Sequence, residues 1–561
     1  LTECLNAYIY TKKPIFAQLV YSLCDGDMDQ VGRGEMFLPN IDEAKQEIQA
    51  IVDQYGEYDF GKSSMLAGYG FAALRGGSYH KTADTGKVYD TQRDFWMYFG
   101  RGQGHGHPDA LNIGIDAYGF NLAPELGYPE VTTAADKTLN WSDATVSHNT
   151  VMVNNASQTP VSAKGGNPQH FDDSGRVKVV DVDVSNAYAA TSTYRRTIVM
   201  VDANDDVSYG VDFFRVNGGN DHTYVFHAMS NEIAETSGLD LVEQKGEDGS
   251  WIGSYAGPDV PFETPNIKSG YSYLKNVRRA SRVSNGIFAV DFKIKDFKNH
   301  MTVPIDLNLR MTMLNDFELS EVALAKGAPP QISNNPKELE FVLAKRTGNN
   351  LNTLFTTVFE PYQNERYITD MVAVPVSRAD GSDMSGDTVK AVKVTLSSGR
   401  EDYIVYAADN TIAYRVDNAF DFCGFVGVYT MRNGECAYSY MNDGTKIGDM
   451  SGTNAYTGNV LSFTKDIAFE NEIEVSFDGE VDADRLVGKY IYIKNDGAMN
   501  AAYPIVAVNT VDGKKYKLSI GDITLVRGLK DTADIEKGYV YNIAEGQSFR
   551  IPLPTENNGT P

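Results

Sequence analysis

From about Thr91 to the C-terminus the sequence is a succession of short runs rich in Val, Ile, Thr, Tyr and Phe, broken by Gly, Asn and Asp, with no helical pattern between them. "RRTIVMVDANDDVSYGVDFFRV" and "AVKVTLSSGREDYIVYAADNTIAYRV" are typical. β-Branched and aromatic residues suit a pleated, half-buried surface, and the intervening residues favour turns. Parallel strands need long crossover connections, usually helices, so a chain that lacks them pairs its strands antiparallel. Antiparallel sandwiches are therefore the expected architecture. No fixed-period repeat is evident, which argues against a propeller or solenoid.

Helical patterning is confined to the start. "PIFAQLVYSLC" sets Pro14 in a first turn, carries Ile15, Phe16, Leu19, Val20 and Leu23 at helical spacing, and stops at Gly26. "NIDEAKQEIQAIVDQYG" has Asn40 as N-cap, a stripe of Ile41, Ala44, Ile48 and Ile51, and Gly56 beyond its end. A weaker helical pattern is read in "SSMLAGYGFAALRGG". The expected fold is thus mostly β within an α+β class. It comprises helices over 1–85, an antiparallel β-sandwich over 86–450, and a small C-terminal β domain over 451–561, its boundary near "NDGTKIGDMSGTNAYTGN".

A formal charge of −25 over 561 residues excludes a general nucleic-acid binder, which needs a basic face. No apolar run is long enough to span a bilayer, so no membrane span is expected. Four cysteines are too few for a disulfide framework. Cys423 and Cys436 flank a hairpin closed at Asn433-Gly434, but counting from the turn sets Cys436 opposite Met431, so free buried thiols are expected. The chain begins at Leu1 without a leader, so a removed signal segment or an N-terminal truncation is expected.

Eight histidines serve the whole chain, and two of them stand two residues apart in "GRGQGHGHPDALNIGIDAYGFNLAPELGYP". On an extended segment such residues share a face, so His105 and His107 can point into one cleft. Leu111, Ile113, Ile115 and Ala117 then alternate with Asn112, Gly114 and Asp116, a half-buried strand. A turn at "DAYGFN" sends "NLAPELGY" back antiparallel with Glu125. His148, in "WSDATVSHNTVMVNN", precedes another strand. Two imidazoles and a carboxylate from neighbouring strand ends suit zinc. Solvated loop histidines with a surface acid are the competing reading of the same spacing.

Three motifs in order, "HGHPDALNIGIDAYGFNLAPELGY", "SHNTVMVNNASQ" and "YRRTIVMV" with its continuation to "LEFVLAKRTGNNLNTLFTTVFEPY", resemble the heparinase II/III-like family of polysaccharide lyases across about residues 60 to 445. The resemblance implies the end of an α/α toroid followed by an antiparallel β supersandwich. It implies a polysaccharide lyase that cleaves uronic-acid glycans, such as glycosaminoglycans or alginate, by β-elimination. A glycan-binding or structural β-sandwich protein derived from such a lyase is the alternative. The family pattern places zinc at the positions matching His107, Glu125 and His148, with His105 facing substrate; the family usually has Asp where this chain has Glu125. Asp109 is expected to orient a ligating imidazole. Arg75, Arg93, Arg101 and His222 are candidates for substrate contact; Tyr69, Tyr98 and Tyr128 are nearby phenols that read as packing aromatics in a chain with 33 tyrosines. "LKNVRRASRVSN" and the Arg195-Arg196 pair could supply positive potential for an acidic glycan, but read first as strand edges in solvent. By the same resemblance the protein is expected to be secreted or periplasmic, with an acidic polysaccharide as its partner.

Overall fold

The structure, a computed structural model, describes the chain apart from residues 34–39, 78, 82–87, 101–105, 128–140, 160–164, 266, 298–305, 331–334, 498–499 and 558–561, with backbone alone at 79–81 and 88–90. It divides into two compact units, 1–62 and 63–561.

The first unit holds three helices, α1 (Thr2–Thr11), α2 (Pro14–Leu23) and α3 (Ile41–Tyr55). Pro14 opens α2, where its missing N–H costs no helical bond. The face α2 buries is Ala17 and Val20, while Ile15 and Leu23 are exposed. These residues meet Leu5, Tyr8 and Ile48 in a small core. Among the described residues no helix is long and apolar enough to cross a membrane.

The second unit corrects one expectation at its start. The "SSMLAGYGFAALRGG" stretch is a hairpin of β1 (Ser64–Leu66) and β2 (Phe71–Gly76), so strand structure begins at Ser64, ahead of residue 86. Four small residues in Gly68, Gly70, Ala72 and Ala73 mimic a helical spacing. The chain turns at residues 67–70, and Gly70 takes a left-handed φ of 91° hard against the Gly100 backbone, where a Cβ would not fit. β3 (Arg93–Tyr98), β4 (Asn112–Ala117) and β5 (Phe120–Ala123) complete a five-stranded sheet in the order β1-β2-β3-β4-β5.

The strands that follow include β6 (Val151–Val153), β7 (Asn167–Asp172), β8 (Val177–Asp183), β9 (Thr193–Asp202), β10 (Ser208–Asn217) and β11 (Asp221–His227). β7 to β10 form one side of an eight-stranded sheet, and β6 and β11 belong to a six-stranded one. Pairing within both is antiparallel. The eight-stranded sheet is the middle layer. One face, through Ile198, Met200, Phe214 and Val216, packs on the core shared with β6, β11 and the first sheet. The other face, through Val199, Val201, Val211 and Phe213, packs on a second six-stranded sheet carrying Val392, Ile404 and Val428. Burial on both sides explains why these strands read as continuous apolar runs. A five-stranded sheet covers the far side of that layer. The C-terminal part has its own core around Val475, Ile491, Leu518 and Ile551 within a seven-stranded sheet.

The hairpin at Asn433-Gly434 has both residues left-handed and sets Met431 opposite Cys436. The four cysteines are free, but of them only Cys24 is buried, which corrects the expectation of buried thiols.

A buried polar clasp joins three sheets. His170 on β7 faces Asp181 of β8 with Nδ1 and Asp443 with Nε2, each at 2.8 Å, and lies flat on Phe425 with ring centroids 3.9 Å apart. Carboxylates only accept, so both ring nitrogens donate. Arg195 binds Asp181 at 2.5 and 2.8 Å, and Arg550 of the C-terminal sheet grips Asp443 with two nitrogens. Burial opposes the charge of Asp181, yet Arg195 and His170 hold its carboxyl well below the usual range; Asp443 is lowered in the same way by His170 and Arg550. A depressed carboxyl contributes stability that is present above its unfolded value and lost as pH falls through the folded one. Asp443→Asn is therefore expected to lower neutral-pH stability by about 3 kcal/mol and to flatten its loss below about pH 4, read by thermal melts across pH.

Candidate metal centre

The site is assembled on the β4–β5 hairpin. Ile113 and Ile115 point into the core, leaving Asn112, Gly114 and Asp116 on the other face of β4. Tyr118 and Gly119, with φ of 56° and 75°, make a tight turn that matches the strand twist. β5 then carries the chain back to Glu125. His107 and Asp109 lie just before β4, and His148 ends a single 3₁₀ turn, Thr145–Ser147.

These pieces bring His107, Asp109, Glu125 and His148 together, with one ligand-type atom of each within 4.8 Å of the others. Glu125 lies between the imidazoles, Oε2 at 3.1 Å from His148 Nδ1 and Oε1 at 3.6 Å from His107 Nδ1. The two histidine rings are 5.1 Å apart. His148 is fully buried, His107 nearly so, and the Glu125 side chain is 31% exposed. Asp109, expected to stand behind a ligand, is in the cluster itself.

Donor chemistry shows that these residues fit a cation. His148 Nε2 lies 3.1 Å from the Ser142 carbonyl oxygen, which only accepts, so Nε2 carries a proton. In a neutral ring Nδ1 then presents a lone pair to the Glu125 carboxylate, which presents lone pairs of its own. Only a proton or a metal ion can lie favourably between them. With a proton there, burial works against the imidazolium, but the Glu125 carboxylate wins and pushes His148 up to about 9. Burial likewise opposes the Glu125 charge, and His148 and His107 together hold that carboxyl well below its ordinary range. Asp109 is pushed by burial up to about 7, against the pull of His148.

The surrounding hydrogen bonds fix this geometry. Asn112 donates its amide to Glu125 Oε2 at 2.6 Å and accepts the Asn149 backbone N–H at 2.8 Å. Asn149 in turn donates to the Ile113 carbonyl and accepts the His227 N–H. Gln158 pairs with both backbone groups of Ala110 at 2.8 and 2.9 Å. Thr145 donates to the Pro108 carbonyl at 2.6 Å. Arg196 ties the two approaches together: one guanidinium nitrogen donates to the Leu111 and Asn149 carbonyls, each at 2.6 Å, while two others bind Asp212 at 2.7 and 2.9 Å. Leu111 is held in a left-handed φ of 63°, a strained conformation for a branched side chain.

Several candidates fall elsewhere. Arg196 is a fully buried hub and Arg195 a partner of Asp181, so the solvent-edge reading of that pair is corrected. Arg93 is fully buried against Ser208 and the Asn204, Asp205 and Thr91 carbonyls; it props up a turn and is not placed to meet substrate. His222 is buried too, with Thr353 Oγ1 at 2.9 Å and the Gly218 carbonyl at 2.7 Å, so it is a satisfied core histidine rather than a cleft residue. Arg75 is partly exposed and engaged with Asp94 at 2.7 Å. His105, Arg101 and Tyr128 lie outside the described residues. Asn112, Asn149, Gln158 and Arg196 were missed as site-supporting residues. Their signal was the polar spacing inside the quoted motifs, which strand patterning does not interpret.

Residues 61–293 match the family described as heparinase II/III-like, C-terminal. Over these residues, fewer than half of the chain, the sequence is similar to that family. The match ends well before residue 445, where the resemblance in sequence was expected to run. All four clustered residues and their supports lie within this heparinase II/III-like region. No curated protein matches the chain. Among solved structures, a heparan sulfate lyase from Pedobacter heparinus is similar at a TM-score of 0.43 and 13% identity, covering 71% of this chain and 48% of that one. A structure named heparinase III is similar at 0.42 and 13%, covering 65% and 46%. The chain thus spans about half the length of the solved structures it matches. At that distance the assignment rests on the family match.

Two outcomes test the centre. Asn112→Ala, which removes the amide that orients Glu125, is expected to weaken any divalent-cation binding at the cluster about 10- to 100-fold in a competition titration while the fold persists. Arg196→Met leaves Asp212 buried without its partner and frees both approaches, so a loss of about 3–5 kcal/mol is expected in denaturant unfolding, with Arg196→Lys a poor substitute because it lacks the planar fork.

Proposed function

We propose that this chain is the zinc-carrying part of a polysaccharide lyase that cleaves uronic-acid glycans by β-elimination. The observation that supports the reading is the buried His107–Asp109–Glu125–His148 cluster inside a heparinase II/III-like region. His107, Glu125 and His148 would hold the ion, and Asp109, equally close, is available as a further oxygen. Zinc at this point would supply a fixed positive charge that organises the segment carrying His107.

The reaction itself breaks the C5–H bond of the uronate, moves that electron pair into a C4=C5 double bond, and expels the glycosidic oxygen from C4, which takes up a proton. No water is consumed. A base, a group that neutralises the carboxylate and an acid are needed. His105, two residues before His107 in the sequence, is proposed to act on the C5 proton or to hold the carboxylate. Such a protein acts on extracellular glycans, so a secreted or periplasmic location belongs to the same proposal.

A glycan-binding protein without catalysis is the other reading, and one measurement separates the two. The full-length protein, incubated with a panel of uronate glycans, is expected to raise ultraviolet absorbance from the unsaturated product. His105→Ala should abolish that signal and keep about one zinc per chain by elemental analysis. Binding without new absorbance on any glycan would reject the lyase reading. The melting transition of the wild type is expected to fall on chelation, since ligands fixed by folded strands bind the ion more tightly than the unfolded chain does. His148→Ala should show no such dependence.

A further inference from the structure

The outer face of the first sheet carries an aromatic wall that the elimination chemistry does not use. Phe71 on β2 pairs with Tyr98 on β3, and Tyr98 with Asn112 on β4, the residue bonded to Glu125. One step along, Trp96 pairs with Gly114. Strand alternation puts Phe71, Trp96 and Tyr98 on the face opposite Ala72, Leu74, Phe95 and Met97, which do the packing in the core. The three rings are only half-buried. Tyr69, in the β1–β2 turn, is 67% exposed, with its ring 6.2 Å from that of Tyr98. Phe71 and Trp96 are near-parallel, 6.0 Å apart.

Trp96 is seated rather than merely placed. A Cβ on Gly114 would fall 2.0 Å from both Cε2 and Cζ2 of the indole and 2.4 Å from Nε1. Cε2 is a ring-fusion carbon without hydrogen, so an edge-on ring would bring its neighbours closer than Cε2. The near-equal distances mean that the indole lies with its face over Gly114. Asp116, two residues on from Gly114, lies on the same face of β4 as the indole. A glycine in mid-strand weakens the sheet unless something must approach the backbone closely, and here it is the indole. One side of the ring is thereby spent on the sheet, and the residue as a whole stays partly exposed.

We propose that Tyr69, Tyr98, Phe71 and Trp96 form a stacking wall for the pyranose rings of a glycan chain, running away from the metal cluster. The proposal rests on the lyase reading for its ligand class. The wall is continuous with the cluster through Tyr98 and Asn112. The cation at its far end, Arg75, is already engaged with Asp94, so this surface reads the apolar faces of sugar rings rather than their charges.

Heparan sulfate and hyaluronan decasaccharides are suitable probes for the full-length, metal-loaded protein, with affinity measured by calorimetry and tryptophan fluorescence. Tyr69→Ala, at an exposed turn position, is expected to weaken binding about 5- to 10-fold with an unchanged melting temperature, and Tyr69→Phe to bind as the wild type does. The fluorescence change on binding should vanish in Trp96→Phe. Affinity indifferent to Tyr69→Ala, or no binding of either probe, would overturn the wall. A fall in melting temperature without a change in affinity would also overturn it, because the face would then be a packing surface for another protein segment. Binding through Tyr69 without an unsaturated product would reject the lyase reading and leave the wall; product formed with a KM untouched by Tyr69→Ala would do the reverse.

Discussion

The Arg196 guanidinium is the point on which the candidate site depends. It is wholly buried, its charge is balanced by Asp212, and its planar fork reaches the Leu111 and Asn149 carbonyls at once. Those two carbonyls belong to the segments that carry His107 and Asp109 on one side and His148 on the other. Taking an arginine out of water costs several kcal/mol, which is offset only when each donor is used in good geometry. Rings on both sides, Phe214 at 4.9 Å and Tyr224 at 5.6 Å, add to its cradle. The result is a rigid link between strands far apart in sequence, and rigidity of this kind lets two imidazoles and two carboxylates meet.

The layered sheets make that burial possible. Arg196 lies on β9, an inner strand of an eight-stranded sheet covered on both faces, where water cannot compete for its hydrogen bonds. The same burial sharpens every charge nearby: it raises Asp109 and strengthens the mutual hold of Glu125 and His148. A second buried network, around His170, does for the junction with the C-terminal sheet what Arg196 does for the site. Both are networks in which each carboxylate has charged or hydrogen-bonding partners on several strands, so neither can be lost one residue at a time without leaving a charge stranded.

The outer surface of the first sheet contrasts with this interior. Its rings are half-buried, its one arginine is paired, and its glycine is occupied by an indole. The wall and the metal cluster share Asn112 as a neighbour, so a ligand lying along the sheet would end at the histidine segment. The inner face of the five-stranded sheet closes the main core, and its outer face carries the proposed wall.

What the sequence determined by itself was local. Alternation of Ile113 and Ile115 with Asn112 and Gly114, the left-handed pair at Tyr118-Gly119 and the Asn433-Gly434 turn follow from steric rules that act over a few residues. The hairpin, its register and the return of Glu125 were therefore legible, as was the antiparallel class, because a chain without crossover helices has no other way to pair its strands. The β1–β2 hairpin was misread, since four small residues fit helical and extended spacing equally well. What only the tertiary structure decided was which polar residues are buried. Arg93, Arg196 and His222 look in sequence like any polar residue on a strand, and their roles are set by a second sheet covering them. Burial is a property of what packs on a strand from elsewhere in the chain, so Arg196 became a hub and Arg93 a prop for reasons no window of sequence contains.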